Sequence, residues 1–147
     1  MSKPKFVYVT YIAATPERVW RALTDSEITK QYWYHSNVSD WQPGSAWEHR
    51  RADDSGVVDV LGRVVESVPP RRLVLTWARP ADADDEARHT RVTFEIEKLA
   101  DAVRLTVLHE DLEPDSEMLA GVTEGWPLVA SGLKSLLETG KPLPKWW

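Results

Sequence analysis

The feature that most constrains the fold is one long amphipathic segment, Asp115 to Thr139, which follows a series of strand-like segments. Its apolar residues fall at Leu119, Val122, Trp126, Val129, Leu133, Leu136 and Leu137. Spacings of three, four and one hold them on one side of a helical period of about 3.6 residues. At about 1.5 Å per residue such a helix is roughly 35 Å long, longer than a typical strand, so it can lie across a whole sheet. A sheet gripping a long helix leaves a space between the two, and that space is where function is expected.

A chain of 147 residues suits a single domain with one core, spanning residues 1–147. Its longest apolar runs, Val64-Val65 and Leu73-Val74-Leu75, fall far short of the roughly 20 residues that cross a bilayer. The start, Met1-Ser2-Lys3-Pro4-Lys5, lacks the apolar stretch of a secretory signal, so a cytoplasmic protein is expected, with no membrane partner. There is no cysteine, which removes disulfides, thiolate metal sites and cysteine nucleophiles. A formal charge of -5, with scattered basic residues, opposes nucleic-acid binding. Eight tryptophans are an unusual load for a chain of this length. Tryptophan fills cores and lines pockets for apolar ligands while its N–H seeks a polar partner. Trp146 and Trp147 close the chain, and such a terminus suits docking on its own domain or on a second copy.

The order of elements follows from period and punctuation. Phe6 to Ala13 alternates as a strand, with Phe6, Tyr8, Thr10 and Ile12 on one side. Thr15-Pro16-Glu17 supplies a hydroxyl cap, a proline at the first helical position and an acid in the first turn. Asp25-Ser26-Glu27 starts a second short helix whose apolar face is Ile28, Tyr32 and Trp33. Strands are then expected at Ala46 to Arg51, Val57 to Val68, Arg72 to Ala78, around Val92 to Ile96, and at Val103 to Glu110. Pro80 to Arg88 reads as an exposed hairpin loop, and Gly62 as a bend or bulge. Short connections imply an antiparallel meander. The class is therefore α+β: a curved antiparallel sheet of six or seven strands around a long C-terminal helix, with two short helices after the first strand.

The strand parities direct Trp47, His49, Trp77, Phe94 and His109 to the inner face, opposite Trp126, Val129 and Leu133 of the long helix. Tyr32 and Trp33, at the end of the second short helix, fall near the expected pocket entrance. His49 and His109 are the ionisable groups of this face, suited to orienting a polar group or to general acid–base chemistry. Two histidines without a third positioned acid make a poor metal site, so no metal and no cofactor are expected. No nucleophile elbow or phosphate-binding glycine loop occurs, and no catalytic residue is assigned. Pro127 within the helix pattern is expected to kink it or to begin a fresh segment.

Specific segments carry a family resemblance. Residues Ala13 to Thr24, Trp41-Gln42-Pro43-Gly44-Ser45-Ala46-Trp47, Glu66 to Trp77, and Glu124-Gly125-Trp126-Pro127 with Leu133 to Glu138 occur in the order found in the START-like (SRPBCC) helix-grip superfamily. Together they resemble its bacterial branch related to the C-terminal domain of the activator of the Hsp90 ATPase, over roughly Phe6 to Leu143. The resemblance implies a helix-grip fold and an apolar small molecule or lipid held between sheet and helix. It implies two alternatives: a stress-related co-chaperone stimulating an Hsp90-type ATPase, or a cyclase or hydrolase using the cavity histidines. Either a monomer or a homodimer is compatible with it.

Overall fold

The computed structural model describes residues 3–144, so Trp146 and Trp147 lie outside the described residues. Strand β1 (Phe6–Ile12) leads into helices α1 (Pro16–Thr24) and α2 (Ser26–Tyr32). Six strands follow: β2 (His35–Val38), β3 (Ala46–Arg51), β4 (Val58–Val68), β5 (Arg72–Trp77), β6 (Thr90–Lys98) and β7 (Val103–Glu110). Helix α3 (Glu117–Thr139) closes the described chain. The strands form one curled antiparallel half-barrel in the order β1-β7-β6-β5-β4-β3-β2. From β3 onward every strand neighbours the one before it in sequence, as the short connections require, while β1 and β2, separated by α1 and α2, form the two edges.

The expected element ends shift by a residue or two, each for a visible reason. β1 stops at Ile12 because the Ala13 N–H leaves the ladder and donates to the Glu138 carboxylate of α3 at 2.8 Å. α3 begins after Ser116, whose hydroxyl accepts from the Leu119 N–H at 3.0 Å, while Asp115 is left-handed (φ 54°) and cannot be helical. At the other end Gly140 takes φ 83° and its N–H closes on the Leu136 carbonyl, a left-handed cap suited to glycine. α3 continues through Pro127 as one helix. The apolar stripe is as expected except at its start, where Met118 packs on the core cluster. The segment Pro80 to Arg88 is largely exposed but contains two single 3-10 turns, Pro80–Asp82 and Glu86–Arg88.

Gly62 is explained by a close approach. A Cβ there would lie 2.0 Å from the Thr76 carbonyl oxygen, an impossible contact. Gly62 is the cross-strand partner of Trp47, whose indole N–H donates to that same carbonyl at 2.8 Å. The missing side chain thus lets β5 close on β4 and gives the Trp47 N–H its acceptor. Register shifts between His49 and Arg50 and between Val64 and Glu66 flank this point and bend the sheet.

The core has two ends. Ile12, Val103, Leu105, Ile96 and Leu73 from the sheet meet Val19 and Leu23 of α1 and the later turns of α3. Here α3 is tied to β1 by Glu138 and by Lys134, whose ammonium donates to the Tyr11 carbonyl. It meets α2 at Gly132, where a Cβ would sit 3.4 Å from the Tyr32 carbonyl. The opposite end lies under the first half of α3, and large aromatic side chains from the sheet fill it.

Candidate functional site

The inward residues of β3, β5, β6 and β7 converge under Trp126. Trp77 is the hub: its ring centroid is 5.4 Å from Trp47, 5.7 Å from His49, 5.6 Å from His109, 5.3 Å from Trp126 and 6.3 Å from Trp33. Phe94 packs edge-on to Trp126 at 5.7 Å, and Trp33 does so at 5.5 Å. All of these rings are buried. Such separations are those of aromatic rings in contact, so this end is filled by the protein's own side chains. Among the expected site residues, Trp33, Trp47, His49, Trp77, Phe94, His109 and Trp126 therefore form one cluster. Tyr32 stacks beside Trp33 at 6.0 Å but has its own task. Its buried hydroxyl donates to the Ala22 carbonyl at 2.6 Å, tying α2 to α1, and burial pushes its pKa up. Val129 and Leu133 share the Trp126 stripe, but Leu133 lies two turns further on, toward the aliphatic end.

His109 sits in a chain of hydrogen bonds whose directions can all be assigned. The Trp77 carbonyl can only accept, so the Thr90 hydroxyl donates to it at 2.7 Å. The Thr90 oxygen then accepts from the His109 Nε2–H at 2.8 Å. Nδ1 of His109 is left as the acceptor for the Trp126 indole N–H at 3.1 Å. The ring is thus neutral with its proton on Nε2, and burial pushes its pKa down to about 3. It cannot take up a proton without losing the bond to Trp126.

His49 is held differently. Its Nδ1 faces the Asn37 side-chain oxygen at 2.5 Å and so carries the proton. Its ring stacks on His35 with centroids 4.0 Å apart and an angle of 6° between planes. Burial, and then the neighbouring His35, hold the His49 pKa well below the usual imidazole range. Both ring nitrogens of His35 face oxygen acceptors: the Trp33 carbonyl at 2.9 Å and Asp59 Oδ2 at 2.8 Å. Arg51 makes paired bonds to Asp59 at 2.9 and 3.0 Å and is the main cause of that carboxyl's lowered pKa. Asn37, Asp59 and Thr90 escape a reading of periodicity, because each is chosen by its cross-strand position. A lone acid among valines at Val57-Val58-Asp59-Val60 is the one signal that could have singled out Asp59.

Among the described residues no group of histidines and carboxylates has the arrangement of a metal site, and no helix is long and apolar enough to cross a membrane. An antiparallel half-barrel gripping a terminal helix over an aromatic interior defines a helix-grip protein of the START-like class. Residues 13–138 match the family described as activator of Hsp90 ATPase homolog 1-like protein, and the chain belongs to that family. No curated protein matches the chain. Among solved structures it is similar to protein MLL2253 from Mesorhizobium loti, with 25% identity and a TM-score of 0.77, covering 92% of this chain and 97% of that one. It is also similar in fold to the Aha1 dimer from Colwellia psychrerythraea, with 21% identity and a TM-score of 0.78, covering 94% and 98%. An HSP90 activator from Plasmodium falciparum, PFC0360w, shares the fold at 21% identity and a TM-score of 0.68, covering 83% and 86%.

Proposed function

We propose that the protein is a small-molecule binding module whose ligand is apolar and docks at the aromatic end of the half-barrel. The observation that carries this reading is the gathering of Trp33, Trp77 and Trp126 around two neutral, buried histidines. Burying imidazoles in an aromatic core disfavours their charged forms and is more than a sheet needs to hold a helix. The ligand takes the place of a ring. Trp33 is the ring that moves, because it caps α2 on the short turn leading to β2, beside the left-handed Tyr34 (φ 57°). Tryptophan fluorescence titrated with uncharged aromatic compounds and lipids, with native mass spectrometry of protein taken from cells, tests the reading. Saturable quenching or a retained mass supports it; no response across the panel and no retained mass removes it.

A second reading, stimulation of an Hsp90-type ATPase, is favoured by the family and by one surface. Val7, Val9 and Tyr11 on the outer face of edge strand β1 are 51, 43 and 52% exposed, an apolar row suited to a protein partner or a second copy. ATP turnover by a bacterial Hsp90 homologue with this protein in excess tests it, and an unchanged rate would rule it out.

A further inference from the structure

Nearly all interior polar side-chain atoms at the aromatic end have partners, and the exceptions lie together. Trp47 donates to Thr76, Trp126 to His109, His109 to Thr90 and Thr90 to Trp77. Thr29 donates to the Ser26 carbonyl and accepts the Asn37 N–H, and Tyr32 donates to Ala22. By contrast, the indole N–H groups of Trp33 and Trp77, the Nε2 of His49 and, beside it, the Nδ2 of Asn37 have no hydrogen-bond partner among the described residues; the rings of Trp33, Trp77 and His49 are the ones that bear on the aromatic cluster. These three rings touch one another, with centroids 5.0, 5.7 and 6.3 Å apart. They are also the least deeply sealed of the cluster, at 9, 7 and 4% exposure, whereas His109 is at 0%. None of these open atoms is sealed from water, which is why each tolerates the lack of a partner.

The roles of these atoms are fixed by what surrounds them. His49 gives its Nδ1 proton to Asn37, so Nε2 offers a lone pair and can only accept. Each indole N–H can only donate. No Lys, Arg, Asp or Glu is buried among the described residues. Asp59 and Arg51 are bound to each other, and Asp59 is joined to His35, whose ring stacks on His49.

Resting on the ligand-binding reading above, in which Trp33 swings aside, we infer that His49 and Trp77 form a site for a neutral hydroxyl group on a flat aromatic ligand. The hydroxyl donates to His49 Nε2 and accepts from the Trp77 indole N–H, while the ligand's ring takes the place of Trp33 against Trp77 and Trp126. A carboxylate fits poorly, because it meets the His49 lone pair without a buried cation to offset its desolvation. An ether of the same shape lacks the donor that His49 needs.

The test is calorimetric titration with three probes of one size: 1-naphthol, 1-methoxynaphthalene and 1-naphthoate. With the native protein, naphthol is expected to bind about tenfold more tightly than the methyl ether, the worth of one hydrogen bond, and the carboxylate more weakly than either. In His49→Phe, which keeps a ring but removes the acceptor, the preference of naphthol over the ether is expected to vanish. The probe comparison in the native protein stands even where that variant fails to fold, and a shift of the His49 Nε2 NMR signal on adding naphthol supports it. Equal affinities for naphthol and ether, or tightest binding of the carboxylate, overturn this inference while leaving a ligand site in place. Failure of all three probes to bind overturns the ligand-binding reading and this inference with it.

Discussion

The neutral state of His109 has a consequence that can be measured as stability. Its pKa is about 3 in the folded protein against an ordinary value of 6.5. Between those values the unfolded chain binds more protons than the folded one, so stability rises with pH across that window. Above about pH 6.5 the contribution is complete; it is lost as the pH falls toward about 3, with a ceiling of roughly 5 kcal/mol at about 1.36 kcal/mol per pKa unit. At about pH 5 the loss is about 2 kcal/mol, a large share of the 5–15 kcal/mol typical of a domain. His49 contributes in the same direction, so the two must be separated. His109→Gln does so, because a glutamine amide can still accept from Trp126 and donate to Thr90 but does not titrate. Urea unfolding followed by tryptophan fluorescence, at about pH 7.5 and about pH 5, gives the two stabilities for each protein. The native protein is expected to lose about 2 kcal/mol more than the variant between these conditions. An equal loss in both proteins, or an NMR titration of His109 at an ordinary imidazole pH, would refute the directed chain from Trp126 to Trp77.

Two further substitutions probe the frame that holds this site. Gly62→Ala drives a Cβ into the Thr76 carbonyl, so unfolding should show a loss of about 1–3 kcal/mol or more, with altered Trp47 fluorescence; a neutral result would mean β4 and β5 do not approach as described. Gly140→Ala places a side chain at φ 83° in the α3 cap and should cost about 1 kcal/mol in thermal or urea unfolding without changing probe binding.

Much of the architecture was legible in the chain. The 3.6-residue stripe of α3, the strand parities that put Trp47, His49, Trp77, Phe94 and His109 inside, and the cap at Thr15-Pro16 are local patterns. Thr15 indeed accepts the Arg18 N–H at 3.2 Å. The inner-face residues also came out together, because period two leaves only one alternative face. What the interior holds was not legible. The expectation of a hollow rested on backbone geometry alone, and side-chain volume decides whether that space is open. Tyr32 was placed at the entrance by its position in sequence, yet its hydroxyl turns inward to Ala22.

By itself, then, the sequence determined the elements, their order and which face of each is apolar, since these depend on neighbours within a few residues. Only the tertiary structure decided that His109 is bonded on both sides while His49 keeps an open acceptor. Both are histidines on inward positions of strands, and nothing local tells them apart. The difference comes from strand register and from the seating of α3 on the sheet, which put Thr90 and Trp126 around one ring and Asn37 and His35 around the other. A hydrogen bond depends on ångström-scale placement of groups far apart in the chain, and only folding sets that placement.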